Sequence, residues 1–244
     1  MKAIFPKWQA PSNIHAFTTT RAGGVSQAPF ASFNLGDHVG DEKSAVKTNR
    51  TLLVESFHLP HSPLFLTQTH STNVIQLPYS GNNFDADSVY TNQPNQVCAV
   101  MTADCLPVLF TTKQGNEVAA AHAGWRGLCD GILEETVKYF HTEPQNIIAW
   151  LGPAIGPKAF QVEKDVIEQF MKFDPHAENA FQPDPNQRGK YFGNLYQIAI
   201  QRLNKLGIVE ISGGEHCTFY EKELFFSYRR EGKTGRMASV IWFE

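Results

Sequence analysis

Three short segments carry side chains whose types and spacing suit catalysis. In Leu66-Thr67-Gln68-Thr69-His70-Ser71, an extended backbone puts Gln68 and His70 on the same face. A histidine met alone is more often a satisfied polar residue than a ligand, so this segment needs company. Met101-Thr102-Ala103-Asp104-Cys105-Leu106-Pro107 runs an apolar strand into a polar step. Pro107 is expected to disrupt pairing and leave Cys105 at an irregular bend beside Asp104. Cys98, within Val97-Cys98-Ala99-Val100, reads instead as a small buried hydrophobe. The third segment, Val118 to Gly127, is a strand of small residues delivering His122 at its carboxyl end, where α/β proteins place their sites. Gly124 and Gly127 permit a tight turn, the helix that follows offers free N–H groups to an anion, and Arg126 adds a fork of donors.

His70, Cys105 and His122 are therefore three nitrogen and sulfur donors from separate parts of the chain. Three protein ligands with a fourth position open is the arrangement of a catalytic zinc site. A second reading makes Cys105 a nucleophile, with His122 or His70 as its base. Both require the three residues to meet in space, and both suit hydrolysis or phosphorolysis of a small polar substrate.

Further groups surround this set in the sequence. Asp85-Ala86-Asp87-Ser88 holds two carboxylates at i and i+2, as a turn or as a support for the site. Gly152-Pro153-Ala154-Ile155-Gly156-Pro157 is a rigid turn after a strand. Phe225-Phe226-Ser227-Tyr228-Arg229-Arg230, followed by Thr234-Gly235-Arg236, joins rings to guanidiniums. That pairing suits a nucleoside with phosphate, or else a solvated charged hairpin. Thr20-Arg21-Ala22-Gly23-Gly24 and Asn49-Arg50 carry comparable groups without a place in the scheme.

The elements that must position these residues follow from periodicity. Helices are predicted over Lys43–Phe57, Leu128–Phe140, Glu163–Phe173 and Asn194–Leu206, the last stopped by Gly207. Apolar runs at Gln96–Met101, Val108–Phe110, Val118–Ala121, Ile147–Leu151 and Ala238–Phe243 read as strands covered on both faces. Asp174–Gly189, with its prolines and polar residues, reads as a surface loop or lid. Strands and helices alternate irregularly, which predicts an α/β or α+β domain with mixed sheets, spanning residues 1–244 without a repeat or linker.

Bulk composition narrows the partners. The net charge is −3 over 244 residues, and lysine and arginine are scattered, unlike the basic face of a nucleic-acid binder. The N-terminus lacks a signal-peptide pattern, and no apolar run approaches the ~20 residues that span a bilayer. A cytoplasmic protein is expected, whose four cysteines stay free, bind metal or react.

Taken together, Thr102-Ala103-Asp104-Cys105, His122-Ala123-Gly124-Trp125-Arg126-Gly127, Gly152 to Gly156 and Phe225 to Arg230 resemble the laccase-domain (YfiH-like) family. Thr20 to Gly24, Gln68-Thr69-His70 and Asp85-Ala86-Asp87 match as well, so the likeness covers nearly the whole chain. The resemblance implies a single-domain layered sandwich of mixed β-sheets flanked by helices, the fold grouped with the catalytic domain of a cytotoxic necrotizing toxin. It implies zinc, with copper as the other metal, on His70, Cys105 and His122. It also implies phosphorolysis of adenosine, inosine and methylthioadenosine, together with deamination of adenosine. Amidase editing of peptidoglycan precursors and copper-dependent polyphenol oxidation are its alternatives. The nine histidines include no His-x-His pair of the kind that holds several coppers, which weighs against the oxidase. His70, Cys105, His122 and Arg126 are the catalytic candidates, and Gln68, Gly124, Arg126, Arg50 and Arg229 the candidates for substrate binding. The expected partners are small molecules, a purine nucleoside and phosphate, with a homodimer left open.

Overall fold

A computed structural model describes residues 1–244. The first half of the chain runs β1 (Ala3–Ile4), β2 (Ile14–Thr19), α1 (Lys43–Ser56), β3 (Val74–Leu77), β4 (Ser88–Thr91), β5 (Cys98–Thr102), β6 (Leu106–Thr112), β7 (Val118–Ala123), α2 (Trp125–Asp130) and α3 (Ile132–Val137). The second half adds β8 (Ile147–Leu151), β9 (Gln161–Glu163), α4 (Lys164–Phe173), β10 (Phe181–Pro183), β11 (Lys190–Gly193), α5 (Leu195–Lys205), β12 (Glu210–Gly213), α6 (Tyr228–Glu231) and β13 (Met237–Phe243).

A six-stranded mixed sheet, in the order β12-β8-β6-β7-β4-β3, forms the centre. Its end pairs β12·β8 and β3·β4 are parallel and the rest antiparallel. An antiparallel sheet β1-β2-β13-β5 stacks on one face of it, and a small β10-β11-β9 sheet lies apart. The alternation of side chains explains the stacking. Leu109, Ala120 and Trp150 of the large sheet pack against Cys98, Val100 and Ile241 of its neighbour. From the same strands Ala99, Met101 and Val240 turn outward, to Leu53 of α1 and to Phe33 and Leu35. Ala119, Ala121 and Ala123 of β7 face the other way, where Leu128, Ile132, Phe170 and Leu203 of α2 to α5 close the core. The result is four layers, helix, sheet, sheet, helices, which agrees with the mixed α+β sandwich expected from sequence. The all-alanine face of β7 lets its helices approach closely.

Several local expectations change. The helix predicted over Leu128–Phe140 starts at Trp125 and breaks at Gly131, whose φ of +107° no other residue adopts cheaply. Pro107 does not end pairing: it sits inside β6 opposite His122, near the strand's start, where its missing N–H is tolerated. Asp174–Gly189 is not a plain loop. It contains a 3-10 helix (Pro175–Ala180) and β10, with Ala177, Ala180 and Phe181 buried. The other helices stay close to their predicted bounds. Asn194 caps α5 by accepting from the Gln197 N–H, and Gly207, at φ +92°, follows its end.

Candidate metal centre

Each member of the His-Cys-His set arrives on a different kind of support. His122 ends the rigid β7 and is 4% exposed. Cys105 follows the β5–β6 bend, and His70 sits in the segment before β3. Their donor atoms all lie within 4.8 Å of one another, with Cys105 Sγ 3.7 Å from His70 Nε2. The two imidazoles are held at 62° with centroids 4.9 Å apart. Two of the four non-glycine residues with positive φ fall here, His70 at +62° and Asp104 at +101°. Asp104 is buried and tied down on every side. Its carboxylate accepts from the Thr218 hydroxyl at 2.6 Å and the Arg229 N–H at 2.7 Å, and its carbonyl from the Ile155 N–H at 2.8 Å. These bonds hold a conformation that otherwise costs about 1–3 kcal/mol, so Asp104 rather than Pro107 makes the bend that carries Cys105.

Asp87 organises the opposite side. Its fully buried carboxylate accepts the backbone N–H groups of Thr69 (3.1 Å), His70 (3.0 Å) and Ser71 (2.6 Å) and the Ser71 hydroxyl (2.8 Å). It also meets His122 Nδ1 at 2.7 Å. That bond keeps the proton on Nδ1 and leaves Nε2 as the free donor of His122, the arrangement by which carboxylates orient metal-binding histidines. Burial alone would raise the Asp87 carboxyl, but the His122 and Ser71 bonds hold it at about 2. Burial likewise opposes the Cys105 thiolate, yet the facing His122 and His70 rings bring the thiol down to about 6. Two imidazoles and a ready thiolate, their donor atoms within 4.8 Å of one another, fit a borderline-soft divalent ion.

Gly124, the residue before α2, makes room for this convergence. A Cβ there would lie 2.5 Å from His70 Cδ2 and 3.0 Å from Cys105 Sγ. Gly124→Ala is expected to displace His70 and weaken metal retention by roughly 10–100-fold, the equivalent of an overpacking cost of about 1–3 kcal/mol. Metal analysis beside an unchanged far-ultraviolet spectrum checks this; full retention would refute it.

The set opens into a cavity of ≈ 510 Å³, with Trp125, Ile155 and Phe160 supplying apolar walls and Arg126, Arg229 and Arg236 the positive charge. Gln68 reaches its wall, but its amide is clamped to Met101 by two bonds of 2.7 Å, so it fastens the His70 segment to β5. Arg126 is exposed, with its guanidinium 4.5 Å from the Trp125 ring centre. Arg229 is exposed and donates through Nη1 to the Ala159 and Gln161 carbonyls. Arg50 lies outside this cavity. It lines a neighbouring one of ≈ 870 Å³ along α1, bonded to the Leu35 carbonyl and stacked 3.8 Å over Phe65. Arg21 pairs with Glu231 at 2.8 Å, and Arg230 binds three carbonyls, so both brace the turn around α6. Cys217 accepts from the Gly156 N–H and does not line the cavity. Sequence reasoning left two contributors unassigned. Asp104 was visible as the polar step before Cys105, whereas His38, shared by both cavities, lies in no recognisable pattern.

Fold and site together define a sandwich protein with one open His-Cys-His centre. Residues 15–244 match the family described as multi-copper polyphenol oxidoreductase laccase, and the chain belongs to that family. A Haemophilus influenzae protein named purine nucleoside phosphorylase is 75% identical over 244 residues, covering 100% of both chains. Purine nucleoside phosphorylase YfiH of Escherichia coli (strain K12) is 53% identical, over 99% of this chain and 98% of its own. Among solved structures, a Neisseria meningitidis protein superposes with a TM-score of 0.94 at 44% identity, covering 100% of both chains. YlmD from Geobacillus stearothermophilus superposes at 0.83 with 29% identity over the same full coverage. No helix is long and apolar enough to cross a membrane.

Proposed function

We propose that the chain is a zinc-dependent purine nucleoside phosphorylase acting on adenosine, inosine and methylthioadenosine, and that the same centre deaminates adenosine. The observation that carries this reading is the His70–Cys105–His122 set at the base of a cavity of nucleoside size, walled by rings and arginines. The names of the relatives at 75% and 53% identity support the same reaction. Zinc suits the donor set, and copper is its competitor because imidazole and thiolate serve both. A bound ion would supply Lewis acidity to the reacting oxygen.

The chain's own residues do the rest. Asp87 fixes the His122 tautomer, Gly124 keeps the centre open, and Trp125 and Phe160 offer faces for a purine. In phosphorolysis a phosphate oxygen forms a bond to ribose C1′ while the C1′–N9 bond breaks, and the purine leaves with that electron pair and gains a proton. Deamination adds a water oxygen at C6 and releases ammonia. A cluster of several coppers is not accommodated by the single group of three such donors. The amidase reading would use the same site on a different bond.

The test is adenosine turnover by zinc-loaded protein, with and without phosphate, followed by chromatography of adenine and inosine. Adenine that depends on phosphate is the expected product, and no base release would overturn the reading. A precursor peptide cleaved without phosphate would favour the amidase.

A further inference from the structure

Three arginines reach the centre's cavity, and they are not equivalent. Arg229 and Arg126 are both exposed, Arg229 donating through Nη1 alone to two carbonyls and Arg126 lying on the ring of Trp125. Arg236 differs from both in being half-buried. It makes no salt bridge with any carboxylate, and only its Nη1 has protein acceptors, the Thr234 and Gly235 carbonyls at 3.0 and 3.1 Å. Those two bonds anchor one edge of the guanidinium and leave Nε and Nη2 to whatever fills the cavity.

The chain around Arg236 is built to aim it. Its backbone N–H donates to the Asn34 side chain at 2.9 Å, and its carbonyl accepts from Leu35. Gly36 clears the path of the side chain, since a Cβ there would lie 2.8 Å from Arg236 Cγ. Burial lowers the guanidinium from its usual value, and the groups that act against this are Cys105, Asp104 and Tyr228, which puts it beside the centre. A planar fork with one free edge, fixed by its own backbone and lacking a carboxylate, is suited to an oxyanion.

We propose that Arg236 is the residue that binds the phosphate co-substrate in this cavity, positioned by Asn34 and Gly36. This rests on the phosphorolysis reading above and replaces Arg126 and the turn after His122 as the seat of the anion. The step it serves is balanced: Arg236 holds the phosphate whose oxygen becomes bonded to C1′, and takes no proton itself.

The test is made on zinc-loaded protein with three readouts: the KM for phosphate, the KM for adenosine, and metal content. Arg236→Gln is expected to raise the phosphate KM by roughly 10–100-fold, the size of a lost charge-assisted pair, with adenosine KM within about twofold. Metal content should not change. Arg236→Lys keeps the charge and loses the fork, so it should recover part of the loss, and Gly36→Ala should move in the same direction as Arg236→Gln. An unchanged phosphate KM, or an adenosine KM raised equally, would overturn the proposal. Wild-type protein gives an independent reading: inorganic phosphate should shield Arg236, not Arg126, from phenylglyoxal, as read by peptide mass spectrometry. Shielding without any base release would uphold Arg236 while refuting phosphorolysis; base release with no shielding would do the reverse.

Discussion

Cys105→Ser protein is expected to purify with less than about a tenth of the wild-type metal and to lose at least about a hundredfold in turnover, since even an outer partner of a ligand is worth 10–100-fold. The cause is the donor set. Serine keeps the size of the side chain but offers a neutral hydroxyl where the thiol, held at about 6, is already a thiolate at neutral pH. Two histidines that remain cannot close around a borderline-soft ion as three donors do. The sign of the pH dependence follows: the thiolate is held low by a His122 imidazole that is itself pushed up to about 9, so metal must compete with protons on both donors and its retention in wild type should weaken as pH falls. Cys217→Ser is the control, because Cys217 lies outside the cavity. Metal analysis of both proteins beside their thermal melts decides the matter, and a fully loaded Cys105→Ser protein would remove Cys105 from the site.

The three donors were legible in the sequence because their types are chemically marked and each stands at the edge of an apolar run. Their convergence was not legible from spacing, since 35 residues part His70 from Cys105. It depends on the β6–β7 pairing, which sets Pro107 opposite His122 and brings Cys105 to the end of β7, and on Asp87, which holds the His70 segment. The buried strands were readable for the same reason the core forms: continuous apolar runs such as Ile147–Leu151 have no polar face to offer water. Strands β3, β4 and β9 to β12 are short and carry mixed side chains, so their pairing comes from tertiary contacts that periodicity does not register. The division between Arg229 and Arg236 was equally hidden. Two guanidiniums seven positions apart look alike until the fold exposes one and half-buries the other.

Arg50 lies outside the cavity of the centre, in the neighbouring one along α1. Its neighbour Asn49, which had no place in the sequence scheme, anchors a buried network. Asn49 Nδ2 donates to Ser26 and to the Ser32 and Asn34 carbonyls, while its Oδ1 receives the Val25 N–H. That network fixes residues 24–36, the same stretch that supports Arg236. The polar residues near α1 therefore hold the loop that carries Asn34, whose side chain accepts the Arg236 N–H.

Asp87→Asn should be the most damaging change outside the ligands themselves. The carboxylate receives three backbone N–H groups, a hydroxyl and His122 Nδ1. An amide of the same shape has one accepting oxygen, and its NH₂ points donors at donors. Breaking a buried charged pair by removing one partner costs about 3–5 kcal/mol, and the free imidazole can then move its proton to Nε2 and spoil the ligand. Metal affinity is expected to fall by roughly 10–100-fold, and the denaturation midpoint should drop even when both proteins are metal-free. This second readout separates Asp87 from a ligand, whose loss leaves the metal-free fold intact. Because the carboxyl sits at about 2, below its ordinary value near ~3.9, its support is complete above the ordinary value and is lost only as pH falls through about 2. Acid loss of metal therefore belongs to the donor set, Cys105 and the facing imidazoles together, and the Asn variant should show that loss from a lower starting affinity. A variant with wild-type affinity and stability would show that the Asp87–His122 bond is decorative.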